Sequence, residues 1–452
     1  MSLDRDLALF SAELESGDIP QEVRERARAC LVHGLVVGAA SVQTGFGGIA
    51  EAAAGPPLSS GGARSLVSGE RYAAQVAAHI NGTLLQARAQ EDTHGTFHSG
   101  VVVLPAALAA AEVANGDGKT LLDGVIIGYE VGIALSRRYT ELSTPPHRAT
   151  GVYGPVAAAA AAARIMGLDV DRTAAALAIA AAHSGGTTES FGAGTHEWHF
   201  QSGLAAGSGV IAANLAAAGA LGSDAAFEGP GGFLEAYPGT TEGAGEVASS
   251  LGSSWGILEV TFKPFPVCAF NQTPALIASR LHADDQVDVS KVESVRIEMN
   301  EREARYPGMD NQGPYEAIEE TLMSTQFSVA TALVGGEITF ASLGRFDGDP
   351  QCRIAAATEL VPLADREPKT AAIELKMSDG QIIRSSIEQP QPEFSWDAQG
   401  VRQNALRLRD ETHLDEASLL QLLDSIGHCD EIDASKIIDD FKPAETGWKE
   451  TD

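Results

Sequence analysis

Basic residues are scarce in this chain of 452 residues: 31 Lys and Arg stand against 61 Asp and Glu, a formal charge of -30. A phosphate backbone is gripped by a basic stripe, so nucleic acid is excluded as a partner. An anionic membrane surface is no better matched. Aromatic residues make up only 6%, which suits helices packed closely through small side chains. The four cysteines, Cys30, Cys268, Cys352 and Cys429, lie far apart and form no CxxC pair. That usage fits a reducing compartment, with thiols serving as small apolar groups. Long hydrophobic runs are missing too: the Ala-rich stretch from Val156 to Ile165 is too short and too weakly apolar to span a bilayer. The start, Met1-Ser2-Leu3-Asp4-Arg5-Asp6, lacks the basic region and apolar core of a secretory signal. The expectation is a cytoplasmic protein with no membrane partner. A small anionic substrate fits this composition if a pocket gathers the few cations locally.

What is present begins with a hydrophobic content of 44%, ordinary for a globular protein. The length exceeds a single core's usual range, so two domains are expected. Helical spacing runs from Gln21 through Val36, from Tyr72 to Ala87, Val101 to Ala114, Leu121 to Arg138, Val156 to Met166, Arg172 to Ala182 and Leu204 to Ala218. The texture then changes. Val292 to Met299 and Ala372 to Met377 alternate as half-buried strands do, and Asp379-Gly380 is a hairpin turn into Gln381 to Arg384. Helical stretches lie between them, from Ala275 to His282, Ala317 to Val334 and Ala355 to Val361, and helical character returns from about Val401. The fold class expected is mainly α. Both chain ends (1–260 and 396–452) build a large all-helical domain, and 261–395 forms a smaller inserted α+β domain. A cleft between the two is the default ligand site.

The densest acid–base kit is Gln90-Glu91-Asp92-Thr93-His94-Gly95-Thr96-Phe97-His98-Ser99-Gly100. Its apolar positions do not recur at a helical period, and its glycines argue for a loop between helices, where binding and catalytic groups concentrate. Imidazoles that titrate near neutral pH sit there beside two carboxylates. His147-Arg148-Ala149-Thr150-Gly151 precedes a helix, so Arg148 and nearby N–H groups can hold an anion. His196-Glu197-Trp198-His199 reads as a second polar-aromatic loop before a helix. Phe262-Lys263-Pro264-Phe265-Pro266-Val267-Cys268 sets one lysine among apolar residues, where it can clamp an anion or donate a proton. A metal site is not expected: Gly95 breaks the His94/His98 pair as a helical pair, and no HExxH occurs. The glycine-rich stretches lack the setting of a phosphate loop.

These clusters, in this order, resemble the MmgE/PrpD family. The resemblance spans nearly the whole chain. It rests on Asp92-Thr93-His94 with His98-Ser99-Gly100, Val103-Leu104-Pro105-Ala106-Ala107-Leu108, and His147 with Thr150-Gly151. It continues through Ser202-Gly203-Leu204, Glu228-Gly229-Pro230-Gly231-Gly232-Phe233-Leu234, Lys263 with Pro266 and Cys268, and Ser395-Trp396-Asp397. It implies a helical domain plus a smaller lid, a homodimer, no cofactor, and lyase or epimerase activity on small carboxylates. It also carries departures. The family's first loop Asp falls on Ala89, its Lys before Ser202-Gly203 on Trp198 with His199 beside it, its Tyr on Phe327, and its Thr-His pair on Asn271-Gln272.

The residues that survive suit removal of a proton α to a carboxylate. His98 or His147 serves as base, Lys263 and Arg148 clamp carboxylates, and Thr93 and His94 orient substrate. Asp92, Glu91, His199, Trp198, Cys268 and Gln272 are further candidates for substrate contact. The expected activity is that of a cofactor-independent lyase, with an amino- or imino-dicarboxylate epimerase as the alternative. A metal-dependent hydrolase using the His pairs, and a silent relative that only binds, are the readings from other classes.

Overall fold

The computed structural model describes residues 2–143, 146–284, 287–346, 348 and 350–442, with only the backbone of 141–143. The remainder, including the last part of the 396–452 segment, lies outside the described residues.

The chain is mainly helical. The principal helices of its first part are α1 (Gln21–Ser41), α2 (Ala74–Gln86), α3 (Gly100–Ala114), α4 (Gly118–Ser143), α5 (Ala149–Ile165), α6 (Val170–Ala182) and α7 (Glu197–Ala217). Small side chains set their spacing. Ala157 to Ala163 on α5 are all fully buried. Where α2 crosses α7, a Cβ on Gly203 would stand 2.3 Å from the His79 carbonyl oxygen, and one on Gly82 would stand 2.9 Å from the Gly203 Cα. Any larger residue would push the helices apart. The alanine and glycine richness is thus a packing requirement.

Two of these helices begin earlier than their spacing suggests. α5 starts at Ala149, so Thr150 and Gly151 belong to its first turn. α7 starts at Glu197, so the stretch read as a loop, including Trp198 and His199, is helical. Aromatic and polar residues hid the 3.6 period there, and tertiary packing decides such cases.

Four strands follow: β1 (Val292–Asn300), β2 (Thr358–Leu363), β3 (Ala371–Met377) and β4 (Ile382–Ile387). Their order is β2-β1-β3-β4, with β1 and β2 parallel and the other neighbours antiparallel. β2 was expected as the end of a helix from Ala355 to Val361. The helix in fact ends at Ala356, and Leu360, every second residue from Thr358, turns inward with it. Helix α8 (Gln272–His282) packs beside the sheet, α9 (Ile318–Met323) leads into α10 (Thr325–Gly335) and packs on it, and α10 packs beside the sheet as well. The expected run from Ala317 to Val334 is split at Ser324, whose hydroxyl caps α10 by accepting from the Phe327 N–H.

The buried apolar side chains form two clusters. One takes residues from Leu3 to Phe262 and again from Val401 to Phe441. The other runs from Phe265 to Ile387 and adds Ala89, Phe191 and Trp198. The chain passes between them at two adjacent places: the Phe262 N–H donates to the Phe394 carbonyl (2.9 Å), and Phe262 stacks on Trp396. Among the described residues no single helix is long and apolar enough to cross a membrane.

Candidate active site

The loop after α2 is stitched to the segment after residue 260. Thr93 and Thr261 exchange backbone hydrogen bonds, both 2.9 Å. Gln90 Nε2 donates to the Pro264 carbonyl (2.6 Å), while the buried His33 ring lies 2.8 Å from the Gln90 carbonyl. Gly95, at φ +61°, opens a tight turn in which His94 and Phe97 exchange backbone bonds. Phe97 is fully buried and anchors the loop against α4 and Tyr153.

Antiparallel pairing of Thr93 with Thr261 sets Glu91 opposite Lys263. Lys263 Nζ donates to Glu91 Oε1 (2.6 Å) and to the Ala89 carbonyl (2.9 Å). Ala89 adopts a left-handed φ of +53°, part of the turn that carries its carbonyl to the lysine. His98 Nδ1 lies 2.5 Å from the same Glu91 oxygen, close but off the line of a good hydrogen bond. Burial alone would raise the Glu91 carboxyl; Lys263 and then His98 outweigh it and hold it well below the usual carboxylate range. Burial, assisted by the charge of Lys263, pushes His98 down to about 4 against the pull of Glu91. His98 is therefore a neutral imidazole at neutral pH, able to accept a proton.

These groups line a cavity between the two apolar clusters, with about 590 Å³ of atom-free space, part of it open to solvent. Of the residues expected at the site, the cavity gathers Glu91, His98, His147, Arg148, Trp198, Lys263 and Cys268. Arg148 stands at the N-terminus of α5, and the Thr150 hydroxyl one turn in accepts the His98 backbone N–H (3.2 Å). The Arg148 guanidinium is buried and, among the described residues, bonds neutral acceptors: the Trp198 carbonyl (2.6 Å), Gln86 Oε1 (3.0 Å) and Gln201 Oε1 (3.3 Å). Burial lowers its pKa without removing the charge of so strong a base. Burial also pushes the Cys268 thiol up to about 11, so it is present as a thiol and not as a nucleophilic thiolate.

Other expected residues sit elsewhere. Asp92 turns away into the helical core, where it accepts from Tyr129 (2.6 Å) and from the Gly100 N–H (2.8 Å) at the start of α3. Burial raises it to about 6. It caps a helix and ties down the loop, which is why Gly100 has no room for a Cβ: Asp92 Oδ1 would be 2.6 Å away. His94 leans outward to Glu259 (3.3 Å). Thr93 and Gln272 line a smaller neighbouring cavity. His199 does not line the main cavity; it is clasped between Phe46 and Trp198, with ring centroids 3.6 Å from each, and faces Glu319 at 3.4 Å. Phe327 is buried in the second apolar cluster and does not line the cavity. Among the described residues no group of three His, Cys, Asp or Glu side chains is placed to hold a metal ion.

The cavity also holds residues the sequence did not single out: Gln86, Thr96, Phe191 and Tyr306. Thr96 carries a buried hydroxyl with no hydrogen-bond partner among the described residues. Tyr306 supplies a phenol from beyond β1, and its ring meets Phe191 (5.8 Å between centroids) and Phe270 (5.3 Å). An aromatic in the middle of Arg305-Tyr306-Pro307 carries no motif, so only the folded chain reveals it.

The comparisons with known proteins agree with the order of these clusters. Residues 5–243 match the model of the MmgE/PrpD N-terminal domain. A cis-aconitate decarboxylase-like protein of Aspergillus oryzae is 30% identical over 278 residues, 57% of either chain. A cis-aconitate decarboxylase of Aspergillus terreus is 25% identical over 421 residues, 85% of this chain and 84% of its own. The cis-aconitate decarboxylase of Homo sapiens is 31% identical over 200 residues, 42% of this chain and 40% of its own.

Proposed function

The chain belongs to the MmgE/PrpD family, and from that membership and the chemistry of the cavity we propose a cofactor-independent lyase acting on a small carboxylic acid. His98 takes the proton from the carbon α to the carboxylate. Arg148 holds that carboxylate and stabilises the enediolate-like charge that develops on it. In a dehydration those electrons form the new C=C bond while the β-hydroxyl takes a proton from Lys263 and leaves as water. In a decarboxylation the bond to CO2 breaks in place of the C–H bond, and a proton donated by the imidazole quenches the electrons left on carbon. Glu91, the residue that carries this reading, touches both His98 and Lys263 in one buried cluster. It orients the imidazole as a carboxylate partner does and stabilises the imidazolium that forms. Two similar proteins named cis-aconitate decarboxylase, and a third named cis-aconitate decarboxylase-like, support a lyase.

Epimerisation is the second reading, favoured by one observation: His147 lines the same cavity as His98 but from a different segment. An acid on the second side could return the proton to the opposite face.

The division expected from the sequence, a helical domain from 1–260 and from 396 onward with 261–395 as its lid, is supported over the described residues, up to 442, by the two apolar clusters and their adjacent crossing points. A homodimer is supported by an exposed apolar stripe on α7, where Leu204, Ile211 and Leu215 are 57%, 39% and 43% exposed. A cytoplasmic location accords with four free cysteines.

The test is incubation in D2O with unsaturated, hydroxy and imino acids, followed by NMR. Deuterium at an α-carbon, or loss of a carboxylate, is the expected result. Unchanged spectra for every acid would contradict the lyase and epimerase readings together.

A further inference from the structure

The charges within the cavity restrict what acid it can take, provided that the cavity is the reaction site proposed above. Two fixed cations line it, Lys263 and Arg148. Lys263 is already matched by Glu91 at 2.6 Å. Arg148 meets no carboxylate among the described residues; its partners are a backbone carbonyl and two amide oxygens, and its Nε–H is buried without a partner. A buried guanidinium left in that state is poised for one anion.

Beyond the polar side, formed by Gln86, Glu91, Thr96, His98 and His147, the wall is apolar. Phe191, Trp198, Phe270, Tyr306, Leu322 and Met323 surround the space. Trp198, Phe191, Tyr306 and Phe270 form a continuous chain of rings, with successive centroids 5.7, 5.8 and 5.3 Å apart. The guanidinium carbon of Arg148 lies 5.5 Å from the Phe191 ring centre and 6.0 Å from that of Trp198, so the cation and the apolar wall share one site. Ala89 and Trp198, one small and one large but both uncharged, also line this cavity. Neither can pair with a second or third substrate charge. A tricarboxylate would bring two further anions into a space whose second cation is already paired and whose other polar groups, Gln86, Thr96, His98 and His147, carry no fixed positive charge. An unpaired charge removed from water is strongly penalised.

We propose that the acid bound here carries a single carboxylate, seated on Arg148, and an uncharged apolar remainder laid against Phe191, Trp198, Phe270 and Tyr306. Arg148 and Trp198 are then the residues that set specificity, one by charge and the other by shape and the lack of charge.

The experiment measures binding to the full chain by calorimetry at fixed ionic strength. Crotonate, 2-hexenoate and cinnamate are compared with citrate and cis-aconitate, and α-deuterium exchange is followed separately for each acid. At least one monocarboxylate is expected to bind tenfold or more tightly than either tricarboxylate, with affinity rising with apolar length. Arg148→Gln is expected to lose tenfold or more of that affinity, and Arg148→Lys to retain part of it. Tighter binding of cis-aconitate, no binding of any monocarboxylate, or undiminished binding by a folded Arg148→Gln would each overturn the proposal. The wild-type ranking decides the matter even if a variant fails to fold. Selective monocarboxylate binding with no exchange in any acid would support this inference while ending the lyase reading. Exchange confined to the tricarboxylates would do the reverse.

Discussion

Glu91 and Lys263 are 172 residues apart in sequence, yet their side chains meet at 2.6 Å with both nearly excluded from solvent. The backbone pairing of Thr93 with Thr261 brings them together, since each lies two residues from its end of that bridge. The same pairing joins the loop after α2 to the point where the chain leaves the first apolar cluster for the second. One short antiparallel contact therefore assembles the ion pair that lines the cavity and faces His98.

Removing the lysine exposes the cost of this arrangement. Lys263→Met leaves Glu91 buried with no strong counter-charge, and a loss of about 3–5 kcal/mol in stability is expected. Pairing that change with Glu91→Leu should restore most of the stability and none of the activity. Urea denaturation of the single and double variants, beside their exchange rates, measures both.

The pH dependence follows from His98. Its pKa is depressed to about 4, first by burial and then by Lys263. The imidazole is thus neutral and competent above that value, and kcat/KM should stay level toward acid until about pH 4, then fall as the ring takes a proton. Lys263→Met removes one of the influences holding the pKa down, so the acid limb of its residual activity should move to higher pH. A pH–rate profile of the two proteins checks the direction.

Ala89 offers a change in stability without a change in charge. It holds φ at +53°, where a side chain is disfavoured. Ala89→Gly should raise stability by about 1 kcal/mol, visible as a higher Tm, because glycine enters that region without steric cost. Lys263 is held by the Ala89 carbonyl, so the activity of this variant should remain close to that of the wild type.

His199 tests the difference between positioning and chemistry. Clasped between Phe46 and Trp198, it holds the indole that forms part of the cavity wall. His199→Phe keeps a flat ring in the stack and should preserve both folding and exchange. His199→Ala opens a void and is expected to cost about 2 kcal/mol or more in stability. Thermal unfolding and KM, compared across the two variants, separate the roles: a structural clasp raises KM only in the alanine protein.

Much of this molecule is legible in its sequence, for definite physical reasons. Helical periodicity located the long Ala-rich helices because their buried faces repeat regularly, and alternation located β1 and β3. The residues with distinctive chemistry, Glu91, His98, His147, Arg148 and Lys263, were recognisable as candidates from their clustering. Their meeting in one cleft was expected, but the long-range backbone bridge between Thr93 and Thr261 that produces it had no signal in the sequence. Asp92 looked like half of an acid–base pair and proves to be a buried helix cap, since neighbouring loop residues point in opposite directions. Trp198 and His199 looked like loop residues because their aromatic character masks the start of α7. Tyr306 had no local signal, and β2 was hidden by the helix immediately before it.

The account depends most on one claim, that His98 is the base which removes the α-proton. Deuterium incorporation from D2O into a bound acid measures that step directly, with wild type, His98→Gln and His147→Gln compared at neutral pH. The expected result is a loss of about 100-fold or more in His98→Gln, with a smaller loss in His147→Gln. Exchange by a folded His98→Gln at the wild-type rate would contradict it.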